Sequence, residues 1–134
     1  MLNMLDTFTV VNRTTLNDSD THILVTLYQP ILGAVSINLY LSLWSYLDRI
    51  AILSDTFNHQ ILVNTMGITL TELLESREKL EALGLIRTYV KKADTNNYIY
   101  ELSSPLSAYE FFSNPLLSTV LYTNVGSNEF KRLI

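Results

Sequence analysis

Apolar and polar positions along the chain predict a short strand, a run of helices and a hairpin. Residues 8–12, "FTVVN", predict a short strand or extended arm. "NDSD" (17–20) supplies N-caps for a first helix through about Tyr28, brought to an end by Pro30 and Gly33. A second helix is predicted from Ala34 to about Arg49, "ILSDTFNH" reads as a connection, and His59–Thr65 as a short helix ending before Gly67. Leu70, Leu73, Leu74 and Leu80 share one side of a helix over Thr69–Ala82, stopped by Gly84. Leu85–Lys92 and Asn97–Leu102 are β-rich runs around "ADTN", a hairpin signal. "SSPLSAYEFFSNPLL" opens a helical tail, with caps at Ser103 or Ser107 and a break near Pro115. Because "NEFKRLI" stops inside a helical run, a further domain is expected to follow.

Turn, helix and strand in that order are the parts of a winged helix. The expected fold is mainly α with a small β-hairpin wing: a winged helix-turn-helix domain over 1–134. Residues 34–102 hold its body, 1–33 an N-terminal arm and helix, and 103–134 a helical tail. The second helix of such a turn ordinarily faces DNA, yet here its outer face carries Thr71, Glu72, Glu75, Glu78, Lys79 and Ala82. That face is net negative and would set three carboxylates against phosphates. It argues for a protein partner or plain solvent. Arg77 and Glu81, one turn apart on the leucine side, can pair with each other.

The helix from Ala34 to Leu47 differs. Asn38, Ser42 and Ser45 form a narrow polar strip, and apolar side chains occupy most of the remaining circumference. A helix apolar over so much of its surface is buried on more than one side. Either it is the central helix of its own domain, or one side packs on a second subunit. For the second case the candidate self-association residues are Leu39, Tyr40, Leu43, Trp44 and Leu47, with Trp and Tyr favoured as interface anchors.

Composition narrows the function. The 134 residues are 48% hydrophobic and 16% charged, with net charge −4. A deficit of charge hints at apolar surface covered by another chain, and the acidic balance argues against gripping duplex DNA by its phosphates. Thr21–Leu47 lacks Asp, Glu, Lys and Arg, but Pro30 and Gly33 interrupt it. Its uninterrupted part falls short of the ~20 apolar residues of a spanning helix. With no signal peptide pattern at the start, a cytoplasmic location is expected.

Reactive chemistry is sparse. There is no cysteine, and the four glycines do not form a phosphate loop. His22 and His59 are isolated, and Asp18 and Asp20 near His22 sit where carboxylates serve as helix caps. Neither a cofactor nor a metal is expected, and the chain does not read as an enzyme. Arg87, Lys91 and Lys92 lie on the first wing strand with Tyr89, Tyr98 and Tyr100 nearby, so a weak DNA contact through the wing is the alternative function. A membrane-surface role ranks behind it, since no basic amphipathic helix is present.

"LYQPILGAVSINLYLSLWSYL" (27–47), "MGITLTELLESREKLEALGLIRTYVKK" (66–92) and "YIYELSSPLSAYEFFSNPLLSTVLY" (98–122) together resemble a known family. It is the N-terminal domain of the DnaB/DnaD helicase-loading proteins of low-GC Gram-positive bacteria, and the likeness leans to the replication initiation and membrane attachment branch. It runs from about Leu24 to Leu133. The resemblance implies a winged helix that self-associates, as dimer or tetramer, within primosome assembly at replication initiation or restart. It implies a DnaD-type primosomal protein and a helicase-loader ATPase with the replicative helicase as partners, and peripheral membrane association of the full-length protein. DNA binding would fall mainly to a C-terminal domain, whose YxxxIxxxW motif does not occur here.

Overall fold

The computed structural model describes residues 2–12, 14–47 and 52–134. A four-stranded mixed sheet, in the order β2-β1-β4-β3, carries helices on one face. Strand β1 (Thr7–Asn12) lies parallel to β4 (Asn97–Leu102), with Thr7 opposite Asn97 and Asn12 opposite Leu102. Strand β3 (Ile86–Lys91) runs antiparallel to β4 and forms one edge. The expected connection "ILSDTFNH" contains a further strand, β2 (Phe57–Asn58), antiparallel to β1. Two residues are too few to show alternation, so only the pairing reveals it.

Helix α1 (Asp18–Ile23) continues through a π-helical turn (Leu24–Tyr28) into α2 (Gln29–Leu32), four residues beyond the expected end. The wide turn explains how the chain passes Pro30. Gln29 N–H bonds back to the Leu24 carbonyl, and Pro30, which has no N–H, falls in the first turn of the restarted helix. Helix α3 (Ala34–Ser45) follows and stops short of the expected Arg49, with Tyr46 as its cap and Leu47 already outside the helix; residues 48–49 lie outside the described ones. Helix α4 (His59–Met66) ends at Gly67, whose φ of +66° makes the left-handed turn into α5 (Leu70–Ala82). The tail is α6 (Ala108–Ser113), α7 (Pro115–Val125) and α8 (Ser127–Leu133). Asn17, Thr69 and Ser107 each close a capping box, with Asp20, Glu72 and Glu110. Of the two caps proposed for the tail, Ser107 is used.

The core lies between sheet and helices. Phe8 and Val10 of β1, Tyr98, Tyr100 and Leu102 of β4 and Ile86 of β3 meet Leu73 and Leu80 of α5, Tyr40 and Leu43 of α3 and Leu62 of α4. Leu70 and Leu74 are half-buried at the margin of the leucine stripe. The tail folds back on the first helices: Phe111 packs edge-on against Tyr28 at 5.3 Å, Leu106 N–H donates to the Tyr28 hydroxyl, and Asn124 donates to the Pro30 carbonyl.

Candidate interaction surfaces

The acidic face of α5 is exposed as expected: Thr71, Glu72, Glu75, Glu78, Lys79 and Ala82 all face solvent. One of its carboxylates also works locally. Glu72 accepts from the Thr69 N–H at 3.1 Å while the Thr69 hydroxyl accepts from the Glu72 N–H, closing the helix start. Among the described residues, no group of three or more His, Cys, Asp or Glu has the spacing to hold a metal ion. None of the described helices is long and apolar enough to cross a membrane.

Helix α3 and the residues just after it carry the expected self-association residues. Leu39, Tyr40 and Leu43 are at most 1% exposed and pack into the domain's own core, and the Tyr40 hydroxyl donates to the Ser103 carbonyl. Meeting another chain through these three side chains would require opening the domain's own core. Trp44 and Leu47 are half-buried against the same core. The polar strip of Asn38, Ser42 and Ser45 lines an open groove against the α4–α5 turn. Large exposed apolar side chains occur on the N-terminal arm and before β2, at Leu5, Ile52 and Leu53, and on the tail, where Tyr109 is 83% and Leu116 70% exposed, with Tyr122 and Ile134 also uncovered.

On the wing, Arg87, Lys91 and Lys92 are exposed, but the aromatic cluster expected beside them is divided by the pleat. Tyr89 shares a face with Ile99 and points outward. Tyr98 and Tyr100 belong to the opposite face and are buried, so they cannot stack on a base. Arg87 stands opposite Glu101, and its pKa is raised first by the Tyr89 hydroxyl and then by Glu101.

Inside the sheet–helix interface lies a polar chain that residue spacing did not reveal. The His59 Nδ1 is 2.6 Å from the Asp6 carbonyl, and Nε2 is 2.6 Å from the Tyr100 hydroxyl. A carbonyl can only accept, so Nδ1 carries the hydrogen; the neutral ring then accepts at Nε2 from Tyr100. Arg77 extends the chain from α5, with Nη1 3.5 Å from the Tyr100 hydroxyl and its guanidinium 5.6 Å from the centre of the Tyr98 ring. The expected Arg77–Glu81 pair is present at 3.9 Å. Burial lowers the His59 pKa, against the raising effect of the Asp6 carbonyl, and pushes the Tyr100 hydroxyl up to about 12. Asp6 also holds the arm: its carboxylate accepts from the Asn3 and Asn96 N–H groups. These groups stand far apart in the chain, on β4, at the start of α4 and before β1.

Comparison with known proteins gives this arrangement relatives. The chain is 31% identical over 129 residues to the replicative helicase loading and DNA remodeling protein DnaB of Staphylococcus aureus, covering 96% of this chain and 28% of that protein. It superposes on the crystal structure of primosome protein DnaB (residues 1–300) from Geobacillus stearothermophilus with a TM-score of 0.93 and 33% identity, covering 99% of this chain and 51% of that one. The chain thus spans about a quarter to a half of the relatives it matches. A family model, the DnaB N-terminal winged helix domain, matches residues 2–134, and the chain belongs to that family.

Proposed function

We propose that this domain is a non-catalytic self-association and protein-interaction module of a primosomal helicase loader, acting in the cytoplasm at replication initiation or restart. The observation that carries the reading is the acidic, solvent-facing second helix of the turn, with Glu72, Glu75 and Glu78 where a DNA reader would place cations. Membership in the DnaB N-terminal family supports it. The partners are further copies of the chain, as dimer or tetramer, a DnaD-type primosomal protein, and the helicase-loader ATPase with its helicase. Contact with DNA falls mainly to other parts of the full-length protein, which also mediate its peripheral association with the membrane. Self-association runs through the uncovered apolar tail, Tyr109 and Leu116 foremost, with Trp44 and Leu47 at most at the margin. Sedimentation at tens of micromolar, well above the Kd of a stable complex, should show a dimer or tetramer that Tyr109→Ala with Leu116→Ala dissociates. A monomer at that concentration refutes self-association.

The exposed Arg87, Lys91 and Lys92 favour a second reading, DNA contact through the wing. It predicts oligonucleotide anisotropy that falls steeply with salt and is weakened by Arg87→Glu with Lys91→Glu. Absence of binding at low salt rejects it.

A further inference from the structure

The sheet ends at β3, and one hydrogen bond fixes which of that strand's backbone groups are left over. Ser103 N–H donates to the Leu85 carbonyl at 3.0 Å, in the same register as Ile86 opposite Leu102. Bonded and non-bonded pairs alternate along an antiparallel ladder, so Arg87, Tyr89 and Lys91 are the residues that bond to β4. The N–H and C=O groups of Ile86, Thr88 and Val90 therefore point away from the sheet, and none of them meets another backbone group among the described residues. The Thr88 hydroxyl is shielded from water and has no hydrogen-bond partner. Beside this open row, Tyr89 and Val90 are nearly half exposed, and Lys91 and Lys92 face solvent. Neither lysine belongs to an ion pair among the described residues. Glu81 and Glu101 line a hollow of about 330 Å³ beside Gly84, Ile86 and Thr88. The start of the edge is thus acidic, while at its end the two lysines outnumber Asp94 of the turn.

We propose that β3 is a pairing edge for an extended acidic segment of a partner protein, which adds a strand to the sheet. A row of donors and acceptors at strand spacing is matched by an extended chain and not by a helix, whose own backbone groups are bonded internally. Side chains of the added strand alternate between the two faces. On the helix-covered face they would lie beside Thr88 and Val90, which suits β-branched apolar residues. On the outer face they would lie beside Tyr89 and Lys91, where a carboxylate pairs across strands, and Lys92 extends the cationic end. The same charges exclude a second copy of this edge. Two β3 strands paired antiparallel about Tyr89 would set Arg87 of each chain against Lys91 of the other. Nucleic acid would engage the cations but leave the backbone row unmet. The inference rests on the protein-interaction reading and not on self-association.

The test uses synthetic peptides of about seven residues, enough to span a strand of ordinary length. One alternates valine with glutamate, a second alternates valine with lysine, and a third is the glutamate form N-methylated on the amides that would face β3. Titration into isotope-labelled protein should move the amide signals of Thr88 and Val90, and slow their hydrogen exchange, with the unmethylated glutamate peptide alone. The expected Kd is on the order of 100 µM. Val90→Pro removes an outward N–H that β4 does not use, and should abolish this binding with the sedimenting oligomer unchanged. Lys91→Glu with Lys92→Glu should weaken binding about tenfold, from two exposed ion pairs of modest strength each. That variant decides the matter should Val90→Pro not fold. Equal binding of the lysine or the N-methylated peptide overturns the proposal, as do glutamate-peptide signals that move elsewhere or not at all. Signals at β3 that shift with protein concentration alone mark a second copy, and signals that shift with single-stranded DNA but not with the glutamate peptide mark nucleic acid; both overturn it. Loss of the sedimenting oligomer in folded Val90→Pro would assign the edge to self-association and also overturn it.

Discussion

Tyr100→Phe isolates one hydroxyl in the buried chain that joins β4, α4 and α5. The ring keeps its packing against Phe8 and His59, so no large cavity forms and the loss is almost purely polar. The hydroxyl donates to His59 Nε2 at 2.6 Å, while the contact from Arg77 at 3.5 Å is long and contributes little. Without it, Nε2 is a buried acceptor with no partner, a condition costing about 1–3 kcal/mol. Urea unfolding near neutral pH should show that loss as a lower midpoint at an unchanged m-value. His59→Phe combined with Tyr100→Phe removes both ends of the bond, and the Asp6 carbonyl still accepts from the His59 backbone N–H at 3.1 Å. The double variant should therefore be less destabilised than the sum of the two single ones. Tyr100→Phe within about 0.5 kcal/mol of the parent protein, the range of inert substitutions, or strict additivity in the pair, would refute the reasoning.

Other outcomes follow from the same packing. Burial holds the His59 pKa below its unfolded value near 6.5, so the unfolded chain binds the proton first as the pH falls. Stability should be fully present above about pH 6.5 and decline below it, and His59→Phe should flatten that decline in urea midpoints measured at several pH values; parallel profiles would contradict it. Leu73→Ala, at a side chain 1% exposed beneath α5, should cost about 2–5 kcal/mol in the same assay. Gly67→Ala meets no atom within 4 Å of the added Cβ, but φ of +66° penalises any side chain. A loss of about 1–2 kcal/mol is expected, with Gly67→Asn less affected.

What could be read from the sequence is what the chain decides locally. The capping pairs Asn17/Asp20, Thr69/Glu72 and Ser107/Glu110 act over three residues, and Gly67 ends α4 by its own backbone freedom. The leucine stripe of α5 and the β3–β4 hairpin likewise depend on short-range periodicity, and the acidic face follows from the same helical wheel. Tertiary structure decided which of two equivalent sides turns inward. Alternation in β4 marks two faces but does not say that Tyr98 and Tyr100 are inside; that comes from pairing with β1 some 90 residues earlier and from the helices covering one side. The apolar helix α3 was open to two readings for the same reason, because its hydrophobicity surrounds most of the axis and its neighbours choose which part is buried. His59 was an isolated histidine in the sequence because its partners, Asp6 and Tyr100, lie 53 and 41 residues away. Local rules have a range of a few residues, whereas burial and long-range hydrogen bonds depend on which distant segments the collapsed chain brings together.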